Sequence, residues 1–334
     1  MRAARTSRFF RIFALLLVLL NTVLPVSCQT KPASNPEQPA WNGVPGEFKA
    51  AVLGDLRPGE PFTVAAAGAG IPQGGRMQAS LYKDDKLLNR GTFFSLGAVS
   101  RRGPVYTTIM AVPTTAGSGK AALRIEGGGK VLFTHEITIE HREFKTETLK
   151  ITSAMTDILT TPDPEKTRQA EQMWSIWART GTDIYTTGNF TMPVFSNYQT
   201  SIFGTRRTYV YPNGRSSTSI HAGEDWRAPT GTPIMAPAPG KVVLSMLRIT
   251  TGNTVVIEHM PGVYSLYYHM DKLMVQEGDM VITGFVIGHA GATGFATGAH
   301  LHYEIRVSTE NTDPAAFLGR TILDKDAILA ILDT

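Results

Sequence analysis

The chain has 334 residues, a length that suggests about two domains, and 42% of them are apolar, which is enough for ordinary globular cores. Its formal net charge of +4 and pI of about 9.1 would suit a nucleic-acid-binding protein. Arg2, Arg5, Arg8 and Arg11 account for the whole excess, and no Asp or Glu precedes Cys28. No basic domain remains, so we predict that nucleic acid is not a partner.

The first 28 residues are typical of an export signal. The arginines lead into Ile12–Leu20, an unbroken apolar run that is much shorter than the roughly 20 residues of a membrane span. Cys28, the only cysteine, follows Leu24-Pro-Val-Ser27 and resembles the lipidation site of a bacterial lipoprotein, although Pro25 stands where leucine is usual. We predict a protein of the cell envelope or periplasm, anchored to a membrane by a lipid on Cys28. The alternative is a soluble exported protein that is cleaved nearby.

The next two segments are predicted to be a flexible tether (29–45) and a β-sandwich (46–145). The tether is rich in Pro, Asn and Ser and has no periodicity. Short β-prone runs separated by turn residues then predict an immunoglobulin-like sandwich. The predicted strands are Phe48–Leu53, Phe62–Ala67, Met77–Tyr82, Thr92–Leu96, Tyr106–Val112, Ala121–Ile125 and Val131–Ile139.

A linker helix is predicted at 160–181. Asp163 suits the N-cap and Pro164 the first turn. Its predicted apolar face contains Ala170, Met173, Trp174, Trp177 and Ala178.

A mostly antiparallel β domain is predicted at 189–320. Its predicted strands are Thr232–Ala236, Gly240–Met246, Asn253–Glu258, Val263–His269, Met280–Ile287 and Leu301–Val307. The whole chain is therefore predicted to be mainly β.

The last of these strands carries two histidines on one face. His300 and His302 alternate with apolar residues, and side chains alternate across a strand with period two. A rigid strand fixes the separation of two such imidazoles, which favours a metal site. The motif alone also fits a strand with a polar outer face.

A second group of polar side chains lies upstream, where His221 precedes Asp225 by four residues and Gly223 allows a tight bend between them. Together with His302 they would give two nitrogens and one oxygen. Three protein ligands and one open position describe a catalytic zinc, and no thiolate is available for a structural site.

At this point the sequence resembles the lysostaphin/LytM-type zinc metallopeptidases, which cut peptidoglycan peptides. The resemblance runs from about Phe190 to Pro314. Its motifs are Thr200-Ser-Ile-Phe-Gly-Thr-Arg-Arg207, His221-Ala-Gly-Glu-Asp225, Gly231-Thr-Pro-Ile-Met-Ala-Pro-Ala-Pro-Gly-Lys-Val242, Tyr267-Tyr-His-Met270, Val275-Gln-Glu-Gly-Asp279, Gly291-Ala-Thr-Gly-Phe-Ala-Thr-Gly298 and His300-Leu-His302.

The resemblance implies a LytM-type β domain and a zinc metalloendopeptidase with peptidoglycan peptides as substrate. It implies that His221, Asp225 and His302 bind one Zn²⁺. The family's two catalytic histidines that are not ligands fall on His269 and His300. No HExxH motif occurs, so these two would handle the proton or stabilise the oxyanion.

Three residues depart from the family pattern or match none of its sites. Glu224 replaces an aliphatic residue, and we expect it to face water. His259 and His289 are expected at the surface.

Two alternatives to the enzyme stay open. One is an inactive LytM-like module that binds the wall or activates an amidase. The other is a structural lipoprotein whose β-sandwich is the working part.

Overall fold

The structure is a computed structural model that describes residues 46–179 and 181–334. The predicted signal (1–28), Cys28 and the predicted tether (29–45) lie outside the described residues. Within those described ranges, none of the helices has the length and hydropathy that a membrane crossing requires.

The first part of the fold is built from two four-stranded antiparallel sheets. Its strands are β1 (Lys49–Gly54), β2 (Pro61–Ala67), β3 (Met77–Lys83), β4 (Lys86–Thr92), β5 (Phe94–Ser100), β6 (Gly103–Ala111), β7 (Gly119–Gly127) and β8 (Lys130–Ile139), with a 3₁₀ turn at Gln73–Gly75. One sheet has the order β1-β2-β6-β5 and the other β4-β3-β7-β8. Phe62, Leu81 and Leu123 belong to one buried cluster to which both sheets contribute. This part is therefore a two-sheet sandwich.

Strand β4 was not predicted from the sequence. Its residues include Asn89 and Gly91, which have low β propensity. Asp84 and Asp85 have φ values of +48° and +58° and form a two-residue turn between β3 and β4, of the kind that suits a tight hairpin. The turn and the pairing with β3 override the weak propensity of the segment.

The second part of the fold holds the remaining strands. They are β9 (Thr146–Lys150), β10 (Gln199–Ser201), β11 (Arg206–Val210), β12 (Ser216–Ile220), β13 (Glu224–Arg227), β14 (Pro233–Met235), β15 (Gly240–Arg248), β16 (Gly252–Met260), β17 (Val263–Met270), β18 (Lys272–Leu273), β19 (Met280–Val281), β20 (Val286–His289), β21 (His300–Val307) and β22 (Glu310–Thr312). The large sheet has the order β10-β13-β21-β17-β16-β15-β19, with β22 beside β21. Two smaller sheets have the orders β12-β11-β9 and β14-β20-β18. The prediction of a mainly β chain with a mostly antiparallel C-terminal domain is confirmed.

The predicted strand Met280–Ile287 is wrong, because the structure divides it into β19 and β20. A tight turn separates the two, in which the backbone N–H of Phe285 donates to the carbonyl of Ile282 at 3.1 Å. Gly284 has a φ of +81° there. This left-handed conformation cannot continue a strand.

Helix α2 (Pro164–Trp177) lies where a helix was predicted, and α1 (Ser153–Thr160) precedes it. The Asp163 side chain accepts a hydrogen bond from the backbone N–H of Glu165 at 2.8 Å, so it is the expected N-cap. The predicted apolar face is partly wrong, since the Trp174 side chain is 56% exposed. The buried residues of α2 are Gln169, Met173, Ile176 and Trp177, the last three of which belong to the cluster over β15–β17.

The two parts of the fold pack against each other. Ile109 of the sandwich and Ile305 of β21 belong to the same buried cluster. The C-terminal helix α3 (Lys325–Leu332) contacts β1, β2 and β5. Arg102 Nε donates to the carbonyl of Leu332 at 2.8 Å. The last helix therefore fastens the C-terminal part to the sandwich.

Candidate metal centre

Three buried side chains, His221, Asp225 and His302, converge from neighbouring elements. His221 follows β12, while Asp225 on β13 is directly opposite His302 on β21. Asp225 Oδ1 lies 2.8 Å from His302 Nδ1 and 3.1 Å from His221 Nε2. His221 Nε2 lies 3.1 Å from His302 Nδ1. The three donor atoms therefore face one point, as the sequence predicted.

The other nitrogen of each imidazole has its own partner. His221 Nδ1 lies 2.9 Å from the carbonyl oxygen of Ile202, which can only accept, so this nitrogen donates. His302 Nε2 lies 3.1 Å from Glu304 Oε1 and donates to that carboxylate. Such outer partners fix the tautomer and the ring orientation of metal-binding histidines. They leave His221 Nε2 and His302 Nδ1 as the nitrogens that point inward.

Two imidazole nitrogens and one carboxylate oxygen fit a catalytic zinc ion, which takes three protein ligands. Burial lowers the pKa of His221, against the opposing hydrogen bond with Asp225. Burial also disfavours charge on His302 and Asp225, but hydrogen bonds and mutual attraction outweigh it. They raise the pKa of His302 to about 9 and hold the pKa of Asp225 well below its ordinary value. In the absence of a metal ion, a proton on His302 Nδ1 thus occupies the place between this imidazole and Asp225.

Gly223 allows the approach of β13 to β21, although not through the bend that the sequence suggested. Its backbone is not in the left-handed region. A Cβ atom at this position would lie 2.1 Å from the carbonyl oxygen of Tyr303. Only glycine therefore lets the strand that carries Asp225 pass this close to the strand that carries His302.

His269 and His300 lie beside the three converging side chains. Their ring centroids are 5.0 Å apart, and that of His269 is 6.1 Å from that of His302. His269 Nδ1 donates to the carbonyl of Thr293 at 2.8 Å, and His300 Nδ1 donates to the carbonyl of Gly298 at 2.8 Å. Both Nε2 atoms thus stay free of a backbone partner, and both residues line the same cleft.

The backbone at His269 is strained. Its φ of +61° is a left-handed value that non-glycine residues rarely adopt. Its N–H donates to the carbonyl of Thr251 at 2.9 Å, which helps to hold the conformation. Burial, followed by the neighbouring His302 and His300, lowers the pKa of His269 to about 3, so this imidazole is neutral at neutral pH.

The cleft has a volume of about 230 Å³ and contains a wall that the sequence did not predict. The apolar side chains of this wall come from Leu149 of β9, from Ile151 between β9 and α1, and from Met155 of α1. Tyr209 and Phe295 face them. Strand β9 reaches this place by pairing in parallel with β11. Nothing in the local sequence signals a pairing between strands so far apart in the chain.

Two more polar residues at the site were missed. Glu304 is buried and joins His302 to Asn311, whose Nδ2 donates to Glu304 Oε2 at 2.7 Å. Arg207 donates to Asp225 Oδ2 at 2.8 Å. The position of Glu304 two residues after His302 on a strand was a usable signal, because it places both side chains on one face. Arg207 ends one of the motifs that resemble the family, but its spacing in the sequence did not indicate a contact with Asp225.

The expectation that Glu224 faces water is wrong. It is only 5% exposed, and its Oε2 accepts a hydrogen bond from Trp226 Nε1 at 3.0 Å. Side chains alternate along β13, so Glu224 points away from the face that carries Asp225. Burial raises its pKa to about 7.

The expectation of a surface position for His259 is also wrong. Its side chain is completely buried, and it lies between the carbonyl of Pro239 and the hydroxyl of Ser265. Strand β16 continues to Met260, past its predicted end, and this places His259 on a buried face. His289 is half-buried at the end of β20.

Comparisons with known proteins extend these observations. Residues 219–314 match the model of peptidase family M23. The DD-carboxypeptidase/endopeptidase Mpg of Neisseria meningitidis is 41% identical over 97 residues, which are 29% of this chain and 22% of that protein. The peptidoglycan DD-endopeptidase ShyB of Vibrio cholerae is 40% identical over 93 residues, which are 28% and 22% of the two chains. The chain thus spans about a fifth of the length of these relatives.

A solved structure resembles a larger share of the chain. It is a putative peptidase M23 from Pseudomonas aeruginosa, with a TM-score of 0.55 and 22% sequence identity. The similarity covers 79% of this chain and 95% of that one. At this identity the likeness establishes the fold.

Proposed function

Residues 219–314 match the model of peptidase family M23, and from this match we propose that the protein is a zinc-dependent endopeptidase that hydrolyses peptide cross-links of peptidoglycan. The observation that carries the proposal is the convergence of three buried donor atoms, from His221, Asp225 and His302, at the floor of a cleft. A buried carboxylate that faces two imidazoles in this way suits the binding of a divalent cation. An inactive wall-binding module or amidase activator would leave the complete donor set without a use.

The proposed roles follow from the atoms that remain available. His221 Nε2, Asp225 Oδ1 and His302 Nδ1 would hold the zinc ion. Bound zinc lowers the pKa of water and polarises a scissile carbonyl. His269 and His300 would present their Nε2 atoms to the reacting groups, since each Nδ1 is engaged with a backbone carbonyl.

The two histidines would handle the proton or stabilise the negative charge that develops on the scissile carbonyl. Their Nδ1–H bonds hold the rings in place, so little reorganisation accompanies the reaction. General acid–base assistance of this kind is typically worth about 10²–10⁴ in rate.

We propose that the bond cut is a D-amino-acid cross-link. Support comes from the names of the relatives, which are a DD-carboxypeptidase/endopeptidase and a peptidoglycan DD-endopeptidase. Leu149, Ile151 and Met155 give the cleft an apolar wall against which a peptide substrate would pack.

Export and anchoring complete the proposal. The arginine-rich start, the short apolar run and Cys28 support a lipoprotein of the cell envelope, held at a membrane beside its substrate. We further propose that 46–145 is an immunoglobulin-like sandwich, that the linker helix lies within 160–181, and that 189–320 is the LytM-type metallopeptidase domain.

Digestion of purified muropeptides, resolved by mass, tests the activity and identifies the bond. Cross-linked dimers should be consumed and monomers should accumulate. The His141→Gln variant is a matched control, because His141 is an exposed histidine outside the cleft and should leave the rate unchanged. Released free sugars would identify a glycosidase instead, and stems freed intact from the glycan would identify an amidase. Zinc-loaded protein that cuts nothing would favour the binding module.

A further inference from the structure

Arg206 and Arg207 follow one another on β11 and point in opposite directions. The Arg206 guanidinium lies 4.3 Å from the centroid of the Phe144 ring and donates to the carbonyl of Thr114 at 2.6 Å. The Arg207 side chain turns instead into the candidate metal centre and is 12% exposed. Strand alternation accounts for the difference. Only Arg207 is placed to influence the metal ligands.

Arg207 engages the outer oxygen of a metal ligand. Its Nη2 lies 2.8 Å from Asp225 Oδ2 and 2.8 Å from Ser201 Oγ. The other oxygen, Asp225 Oδ1, then faces His302 Nδ1 at 2.8 Å. The carboxylate is held at both ends, so it cannot rotate its inner oxygen away from the point on which the histidines converge.

A cationic group beside a cation site would normally weaken metal binding by repulsion. Glu147 offsets this, because its carboxylate accepts a hydrogen bond and forms an ion pair with Arg207 Nε. Glu147 is on β9, and the parallel pairing of β9 with β11 places it directly opposite Arg207. The arginine thus has one carboxylate on each side and orients Asp225 without adding net positive charge.

We propose that Arg207 is a positioning residue for Asp225 and that Glu147 holds Arg207 in that position. Both residues precede the segment 219–314 that matches the model of family M23, and Glu147 also precedes the stretch from about Phe190 that resembles the family, so a strand outside that stretch contributes to the metal centre. The proposal rests on the proposed function, because it presumes that His221, Asp225 and His302 bind the metal.

Zinc affinity of the full-length protein, measured by competition with a chromophoric chelator, tests the proposal. Removal of an outer partner of a metal ligand typically costs 10–100-fold in metal affinity. We expect a loss of about this size in Glu147→Gln and in Arg207→Gln. Arg207→Lys should recover part of it, because lysine keeps the charge but loses the planar fork.

Two control variants separate this effect from a general change in β9. Glu143→Gln removes an exposed carboxylate that precedes β9 and contacts only His141 among the described ion pairs, and Thr148→Ala truncates an exposed side chain on β9 itself. Both should bind zinc like the wild type. The double variant Glu147→Gln/Arg207→Gln should be no weaker than Arg207→Gln alone, since the two residues act through one contact.

The visible absorption spectrum of the cobalt-substituted protein reports on the ligands of the metal. It would not change if Glu147 and Arg207 only stabilised the fold. Reorientation of Asp225 should change the spectrum of Glu147→Gln, while thermal unfolding of the metal-free protein stays near that of the wild type. Wild-type affinity and an unaltered spectrum in Glu147→Gln would overturn the proposal, as would tighter binding in Arg207→Gln.

The His302→Ala variant keeps this proposal distinct from the proposed function. If it retains zinc, the metal centre itself is wrong. If it loses zinc while Glu147→Gln binds normally, only the positioning role fails. Should Arg207→Gln not fold, the Glu147→Gln variant decides the question, because its side chain is only partly buried and its isosteric replacement preserves packing.

Discussion

The buried histidine His259 should make the protein less stable as the pH falls below about 6.5. Its Nδ1 donates to the carbonyl of Pro239 at 2.8 Å, and its Nε2 accepts from the hydroxyl of Ser265 at 2.7 Å. Burial lowers its pKa from the ordinary value to about 4. Between pH 6.5 and 4 the unfolded chain therefore binds a proton at this histidine that the folded protein does not bind. The free energy of unfolding decreases as the pH is lowered through this window.

The magnitude follows from the two pKa values. Each pKa unit corresponds to about 1.4 kcal/mol, so the fall to about 4 amounts to about 3 kcal/mol when the pH is taken from neutral to 4. The hydroxyl of Ser265 also accepts from Tyr267 at 2.7 Å, so a protonated imidazole would break a chain of hydrogen bonds and not a single contact.

Urea unfolding of the wild type and of His259→Gln, across the range from pH 4 to 7.5, measures this effect. Other titrating groups contribute equally to both proteins and cancel in the difference. The variant should be the less stable of the two at pH 7, and the gap should narrow by up to about 3 kcal/mol as the pH falls to 4. A gap that stays constant over the whole range would refute the reasoning.

Three further predictions concern packing and anchoring. Gly223→Ala places a Cβ atom 2.1 Å from the carbonyl oxygen of Tyr303, so it should lower the free energy of unfolding by about 1–3 kcal/mol and reduce the amount of bound zinc. Thermal unfolding and zinc content measure both effects, and a variant with wild-type stability and zinc content would contradict this. Trp177→Ala should lower the free energy of unfolding, measured by chemical denaturation, by about 3–5 kcal/mol, because Trp177 is buried. Trp174 is exposed, so Trp174→Ala should change it by no more than about 0.5 kcal/mol, and equal losses would show that the helix packs differently. Radiolabelled fatty acid should enter the wild type and not Cys28→Ser, and equal labelling of both would exclude the lipid anchor at Cys28.

The sequence was most informative where short-range geometry decides the outcome. Alternation along β21 places His300 and His302 on one face, and the N-cap Asp163 begins α2. Both features depend on a few adjacent residues. The grouping of His302 with His221 and Asp225 came from the donor chemistry and from the family resemblance. The structure brings these three side chains together.

The residues that escaped prediction depend on contacts between distant segments. Glu147 meets Arg207 only because β9 pairs in parallel with β11. Glu224 is buried because the face of β13 that does not carry Asp225 is covered, and His259 is buried because β16 extends further than its local pattern indicated. Burial on the second face of a sheet is decided by tertiary packing, which a strand's own alternation does not reveal.

The separation of metal ligands from catalytic histidines is the central claim, and one paired measurement tests it. Bound zinc and the rate of muropeptide cleavage should be determined on the same preparations of wild type, His302→Ala and His269→Ala. We expect His302→Ala to lose zinc and activity together. His269→Ala should keep its zinc and lose about 10²–10⁴ in rate. A His302→Ala variant that retains zinc, or a His269→Ala variant that cleaves at the wild-type rate, would contradict the account.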